Sequence, residues 1–265
     1  MDLFEETSDA ASHPYVRRLG EGACAAEGTI IGQADLLACV GLPVPEGMVI
    51  TREAHRAFLQ SSGLLGEMLA YADEQTHDQI LRPRLRHTPI GHAPSLVEGE
   101  LNRAICEALM ELGAPSVAVI SEEVRKGDLK SIPEVKDAIR EAWLSERGLE
   151  RQISAARATL EIPTWPVLIQ REITPHYTCW STTGEATSAE VCSGKRSGEK
   201  VGLYDVEPAG KADTERWSIS CLTLKAASVL VKSTKIEWGL EGSNWYVLSI
   251  VSKDKENSRS PERRL

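Results

Sequence analysis

Apolar residues recur at three- and four-residue steps through most of the first 160 positions, and at two-residue steps from Trp165 onward. The first spacing is that of helices with one buried face, the second that of strands. Gln33 to Val40, with Leu36, Leu37 and Val40 on one side, predicts a short helix. Gly41 ends it, because glycine reaches the left-handed cap conformation without steric cost. Pro43 and Pro45 keep Leu42 and Val44 extended. Met48 to Ile50 predicts a short strand, and Thr51 caps a helix running through Ala54 and Phe58, with Glu53 in its first turn. Leu64 to Tyr71 predicts a further helix, with Leu65, Met68 and Leu69 on one side.

Leu96 to Leu112 places Val97, Leu101, Ile105 and Leu109 at four-residue steps, and Gly113 with Pro115 stops that helix. Ser116 to Ser121 predicts a buried strand. Ser131, with a proline next but one and Glu134 three residues on, is a helix start with a capping box. That helix buries Val135, Ala138, Ile139 and Ala142, and another runs from about Leu149 to Leu160. The stretch from Glu122 to Lys136 is expected to run almost directly into its helix.

The two-residue period then predicts strands over Pro166 to Ile173, Tyr177 to Ser181, Thr187 to Cys192 and Lys200 to Val206. Leu222 to Val231 returns to a helical pattern, and Lys235 to Leu240 with Asn244 to Val251 makes a hairpin around Gly242. A further short strand fits Tyr15 to Leu19. The expected architecture is therefore α+β, with a helical first part and antiparallel strands in the second. Its expected parts are a weakly ordered segment 1–28, a helical lobe 29–160, an antiparallel lobe 161–252 and a disordered tail 253–265.

Composition narrows the classes. A chain of 265 residues that is 42% hydrophobic and 26% charged can bury a sizeable core. The formal net charge of −9 argues against nonspecific binding to nucleic acid or to anionic membranes. No apolar run approaches the roughly 18 residues of a membrane span. The acidic N-terminus has no apolar core of a secretory signal. Six cysteines without a C-x-x-C pair read as reduced thiols, which points to the cytoplasm. The histidines show no zinc spacing. Arg82, Arg84, Arg86 and His87 read as a solvated run, and Ser193-Gly194-Lys195 and Gly198-Glu199-Lys200 as turns with solvated lysines rather than phosphate loops.

Three stretches together carry a resemblance. Gly41 to Thr51 reads GLPVPEGMVIT, Pro166 to Ile173 reads PVLIQREI, and Lys235 to Val251 reads KIEWGLEGSNWYVLSIV. In that order they resemble the nucleotide-binding domain of phosphoenolpyruvate synthase and pyruvate phosphate dikinase. The resemblance implies an ATP-grasp-like fold with ATP between two lobes, and ATP with Mg2+ as ligands. It implies nucleotide contacts at Gln33 (where the family has a lysine, which aligns with Ile30 instead if no gap is allowed), Gln170, Arg171, Glu172 and Ile173. Magnesium would be held weakly, by Glu237 and Ser249.

The sequence departs from the pattern where charge matters most. A family arginine aligns with Ile120, an aspartate with Lys235, a magnesium-holding glutamine with Ser249 and a terminal arginine with Val251. The glycine-rich lid segment is missing. Phosphoryl transfer relies on positioned cations and metal to offset developing charge. The expectation is a kinase or phosphotransferase relative with weakened catalysis, served by a separate phosphocarrier or catalytic partner and acting on a small molecule or partner protein. The alternative is a non-catalytic pseudoenzyme that binds or scaffolds.

Overall fold

The computed structural model describes residues 13–22, 29–73, 96–159, 161–183, 189–196, 199–201, 219, 221–230 and 234–252. The chain divides into two compact units, one of residues 1–18 with 47–170, the other of 19–46 with 171–265. The division is interleaved. Where one cut near residue 160 was expected, contacts place 19–46 with the late strands, because Ala34, Leu37 and Leu42 bury into the same core as Ile236 and Trp238. Residues 253–265, expected as a disordered tail, lie outside the described residues, as do the Arg82–His87 run and most of 1–28.

The first unit carries a five-stranded sheet in the order β1 (Val16–Arg18), β2 (Gly47–Ile50), β5 (Val167–Arg171), β3 (Val117–Ile120), β4 (Arg125–Leu129). The last residue of β5, Arg171, already belongs to the other unit. β2 runs antiparallel to both β1 and β5. Gly47 must be glycine here: a Cβ would sit 2.9 Å from the Ile169 carbonyl oxygen and from Leu168 Cδ1. Four helices are described in this unit besides α3 (Leu64–Asp73): α2 (Arg52–Ser61), α4 (Leu96–Leu112), α5 (Ile132–Trp143) and α6 (Glu146–Thr159). Their apolar faces meet the sheet in a core that includes Phe58, Leu101, Ile105, Val119, Ile139 and Trp143.

The predicted caps are present. Thr51 Oγ1 accepts from the Ala54 N–H at 3.2 Å and donates to the Pro14 carbonyl at 2.7 Å, so one side chain starts α2 and ties it to the segment before β1. Ser131 and Glu134 form both halves of the capping box on α5. Two expectations need correction. The stretch 122–136 holds a strand, β4, which pairs with β3 through Arg125, Lys126 and Leu129 before α5 begins. Ser193, Gly194 and Lys195 lie within one strand, and Glu199 and Lys200 within another, rather than in turns.

The second unit carries five antiparallel strands in the order β10 (Asn244–Ser252), β9 (Thr234–Glu241), β6 (Tyr177–Thr183), β7 (Ala189–Arg196), β8 (Glu199–Val201). α1 (Ile30–Cys39) and a helix over 221–227, here α7, share this sheet's core. Gly41 follows α1 with φ +71°, as expected for the residue that ends it. The α+β class is borne out, although the first unit holds more strand than its periodicity suggested.

Candidate functional site

Strand parity gives the second unit's sheet one sealed face and one half-open face. Cys179, Ser181, Ile236, Trp238, Leu240, Val247 and Ile250 are buried on the core side. Trp180, Thr182, Lys235, Glu237, Ser249 and Val251 are half-buried on the other. Across that face Glu237 stands opposite Trp180 on β6 and opposite Ser249 on β10. The two residues assigned to magnesium by resemblance are thus cross-strand neighbours.

The pairing depends on a bulge. β10 gains one residue between Val247, opposite Trp238, and Ser249, opposite Glu237. A bulge lets two residues face one and re-aims a side chain. Here Leu248 is the extra residue, and it lies over Gly239, where a Cβ would meet its Cδ1 at 2.7 Å. Val247 and Ile250 both stay in the core as a result.

Lys235 lies two residues from Glu237 on the same strand, about 7 Å along it. Its Nζ sits 4.9 Å from the centre of the Trp180 ring. That cation–π contact links β9 to β6 and has no counterpart in the sequence motifs. Behind the sheet, burial first and the nearby Glu237 carboxylate second push the Cys179 thiol up to about 12, so this cysteine is an inert core thiol.

The chain passes from the first unit to the second between Gln170 and Arg171. Gln170 is buried in β5 opposite Gly47. Arg171 donates its backbone N–H to the Glu46 carbonyl at 2.8 Å. Its guanidinium donates to Glu241 at 3.1 Å and lies 5.3 Å from the Tyr246 ring centre. Glu241 also accepts the Thr174 N–H at 2.9 Å, and this bond, with help from Arg171, holds its carboxyl below the usual range. The strap 171–174 is therefore clamped to the end of the β9–β10 hairpin. Glu172 is half-buried and Ile173 buried within it.

Gln33 is half-buried in the first turns of α1, on a different element from the other candidates. Ile120 is buried in β3, so the position aligned with a family arginine carries no charge. Reading the sequence missed the Lys235–Trp180 contact and the Arg171–Glu241–Tyr246 clamp. A signal for the first existed: Trp180 and Lys235 share the outward parity of their strands.

The donor set is too sparse to hold a magnesium ion without the phosphates of a ligand. It offers one carboxylate and one neutral hydroxyl, with an ammonium group on the same face. Among the described residues no group of three or more His, Cys, Asp or Glu side chains could hold a metal. Magnesium demands near-octahedral oxygen coordination, commonly through carboxylates together with ligand phosphates and water. No described helix is long and apolar enough to cross a membrane.

No protein-family model matches the chain, and no curated protein matches it. Solved structures similar to it include the D-alanine-D-alanine ligase from Coxiella burnetii, at 8% identity and a TM-score of 0.42, over 84% of this chain and 47% of that one. Cdc123 from Schizosaccharomyces pombe is similar at 11% identity and a TM-score of 0.45, over 84% and 82%. The ATP-grasp ligase PsnB, complexed with minimal precursor, Mg and ADP, is similar at 14% identity and a TM-score of 0.39, over 88% and 52%. The chain spans about half the length of the two ligases.

Proposed function

We propose that this chain is an ATP-binding protein related to the nucleotide-binding domain of phosphoenolpyruvate synthase and pyruvate phosphate dikinase. In this reading it works in the cytoplasm with weak or no phosphoryl transfer of its own. The observation that carries the reading is that the three stretches behind the resemblance converge. The first and second pair strand to strand, Gly47 to Ile50 against Val167 to Gln170. The second then continues into Arg171, which is bonded to Glu241 of the third. Residues far apart in sequence are joined in this way, and Glu237 stands opposite Ser249 on one face.

Nucleotide contacts are assigned to Gln33, to Gln170 in β5, and to Arg171, Glu172 and Ile173 of the strap. Turnover is expected to be weak because the charges that stabilise a transferring phosphoryl group are changed together. Ile120 is an apolar strand residue, and Ser249 supplies only a neutral hydroxyl. Magnesium chemistry, where it occurs, depends on what the ligand itself brings. A separate phosphocarrier or catalytic partner would restore transfer. A second reading, a non-catalytic binding or scaffold protein, is favoured by the same Ile120.

The test is calorimetric titration of the purified chain with ATP, together with a phosphate-release assay. ATP binding with little or no release is the expected result. Robust ATP turnover by the pure protein overturns the weakened-catalysis reading. Absence of ATP binding by the folded protein overturns the nucleotide reading and leaves the scaffold.

A further inference from the structure

We infer that Lys235, held in place by Trp180, is a phosphate-binding cation, and that nucleotide is gripped on the half-open sheet face without a divalent metal. This rests on the nucleotide-binding reading above and says how the grip works.

The sign of the face is the first argument. Lys235 and Glu237 stand on the same side of β9 and their formal charges cancel. Two carboxylates at those positions would carry −2, which draws a dication and repels bare phosphate. An ammonium at one of them removes that net charge, so the face neither draws a dication as a carboxylate pair does nor repels phosphate as strongly. The absence of a metal-holding cluster among the described residues agrees.

Preorganisation is the second. Lysine carries a long stem with several rotors, and freezing it on binding costs affinity. Here the ammonium already lies over the Trp180 indole, 4.9 Å from the ring centre, so its position is set before a ligand arrives. Trp180 is cross-strand neighbour to Glu237, which brings the stacked ammonium beside the carboxylate.

The third concerns Ser249. The bulge brings it opposite Glu237 rather than into the core. A hydroxyl brings no charge to a magnesium ion, and it is a good donor to a phosphate oxygen. Lysine and serine together make a small anion-accepting set, and Glu237 opposes it. Glu237 therefore limits affinity here, whereas a metal site would need it.

That difference in sign supplies the test. Wild-type protein and the Lys235→Met, Lys235→Arg and Glu237→Gln variants are titrated calorimetrically with ATP, once in EDTA and once in magnesium, with circular dichroism to verify folding. In EDTA the wild type is expected to bind ATP at least as tightly as in magnesium. Lys235→Met should weaken EDTA binding by about tenfold or more, and Lys235→Arg should stay within about threefold. Glu237→Gln should leave binding unchanged or tighten it.

Binding that requires magnesium and falls in Glu237→Gln overturns the inference while sparing the nucleotide reading. Unchanged EDTA binding in Lys235→Met does the same. No binding in either buffer overturns the nucleotide reading itself, and the role of Lys235 with it. Should Lys235→Met fail to fold, Lys235→Gln and the wild-type comparison of the two buffers decide.

Discussion

His55 shows how one side chain sets a pH dependence. It is fully buried in the first unit, its ring stacked on Trp143 at 4.8 Å and 4°, and its Nδ1 accepts the Trp165 N–H at 3.0 Å. Burial pushes its pKa down from 6.5 to about 3. Above pH 6.5 both folded and unfolded chains hold it neutral, so stability is flat. Below that the unfolded chain takes a proton that the folded chain refuses until about pH 3. Stability should therefore fall by about 1.4 kcal/mol per pH unit across that window from this group alone. His55→Phe keeps a ring on Trp143 and cannot charge. It should be less stable at pH 8 by about 1–3 kcal/mol, because the Trp165 N–H loses its acceptor, and should lack this share of the acid slope. Urea midpoints from pH 4 to 8 measure both; an equal slope in the variant refutes the assignment. Caps such as Thr51 and Ser131 were legible in sequence because their partners lie within three residues. His55 was not, because its hydrogen-bond partner lies 110 residues away.

Among elements, β4 explains what periodicity cannot see. Its RKGDL has no apolar alternation; four residues are exposed and only Leu129 is buried. It is a strand because β3 offers it a partner, and Asp128 accommodates the local geometry with φ 57°. The β9–β10 hairpin was legible, since alternation and Gly242 both signal it. Its register was not, because a bulge shifts pairing without changing which residues are apolar. A buried polar chain joins three other elements. Trp238 Nε1 donates to Ser181 Oγ at 2.7 Å. Thr223 Oγ1 lies 2.8 Å from Ser181 Oγ and 2.8 Å from the Ile219 carbonyl. One arrangement of hydroxyl protons satisfies all four groups: indole to Ser181, Ser181 to Thr223, Thr223 to the carbonyl. Ser181→Ala leaves the buried indole N–H without its acceptor and should cost about 1–3 kcal/mol. Hydrogen exchange should rise in β6 and β9 and stay unchanged in β2 and β3. A variant as stable as wild type would remove the chain's claimed importance.

At the scale of the whole molecule, the chain order and the unit order differ. Residues 19–46 lie early in sequence, yet Ala34, Leu37 and Leu42 complete the core around Trp238 and Ile250. A fragment 161–265, which follows the boundary that composition and periodicity suggest, lacks that helix. It should stay largely unfolded by circular dichroism, whereas a permuted chain joining 171–265 to 19–46 should fold cooperatively. Equal folding of both would show that α1 is dispensable. Period changes along a sequence report element type, and they cannot report which distant segment fills a core; the interleaving was illegible for that reason. The order of three stretches was legible, and it singled out the candidate positions. The charge balance of Lys235 and Glu237 was not legible, because it arises from which face they share with Trp180.

Leu248 is best understood as an insertion that the hairpin absorbs at no cost to its phase. Val247 already opposes Trp238 and Ser249 already opposes Glu237. Removing the residue between them would restore plain two-residue alternation and keep every later pairing. Such a deletion would bare the backbone at Gly239, whose missing side chain Leu248 now substitutes from the neighbouring strand. Cover for the sheet and register of the sheet are thus separately encoded, and one can change in descent while the other stands still.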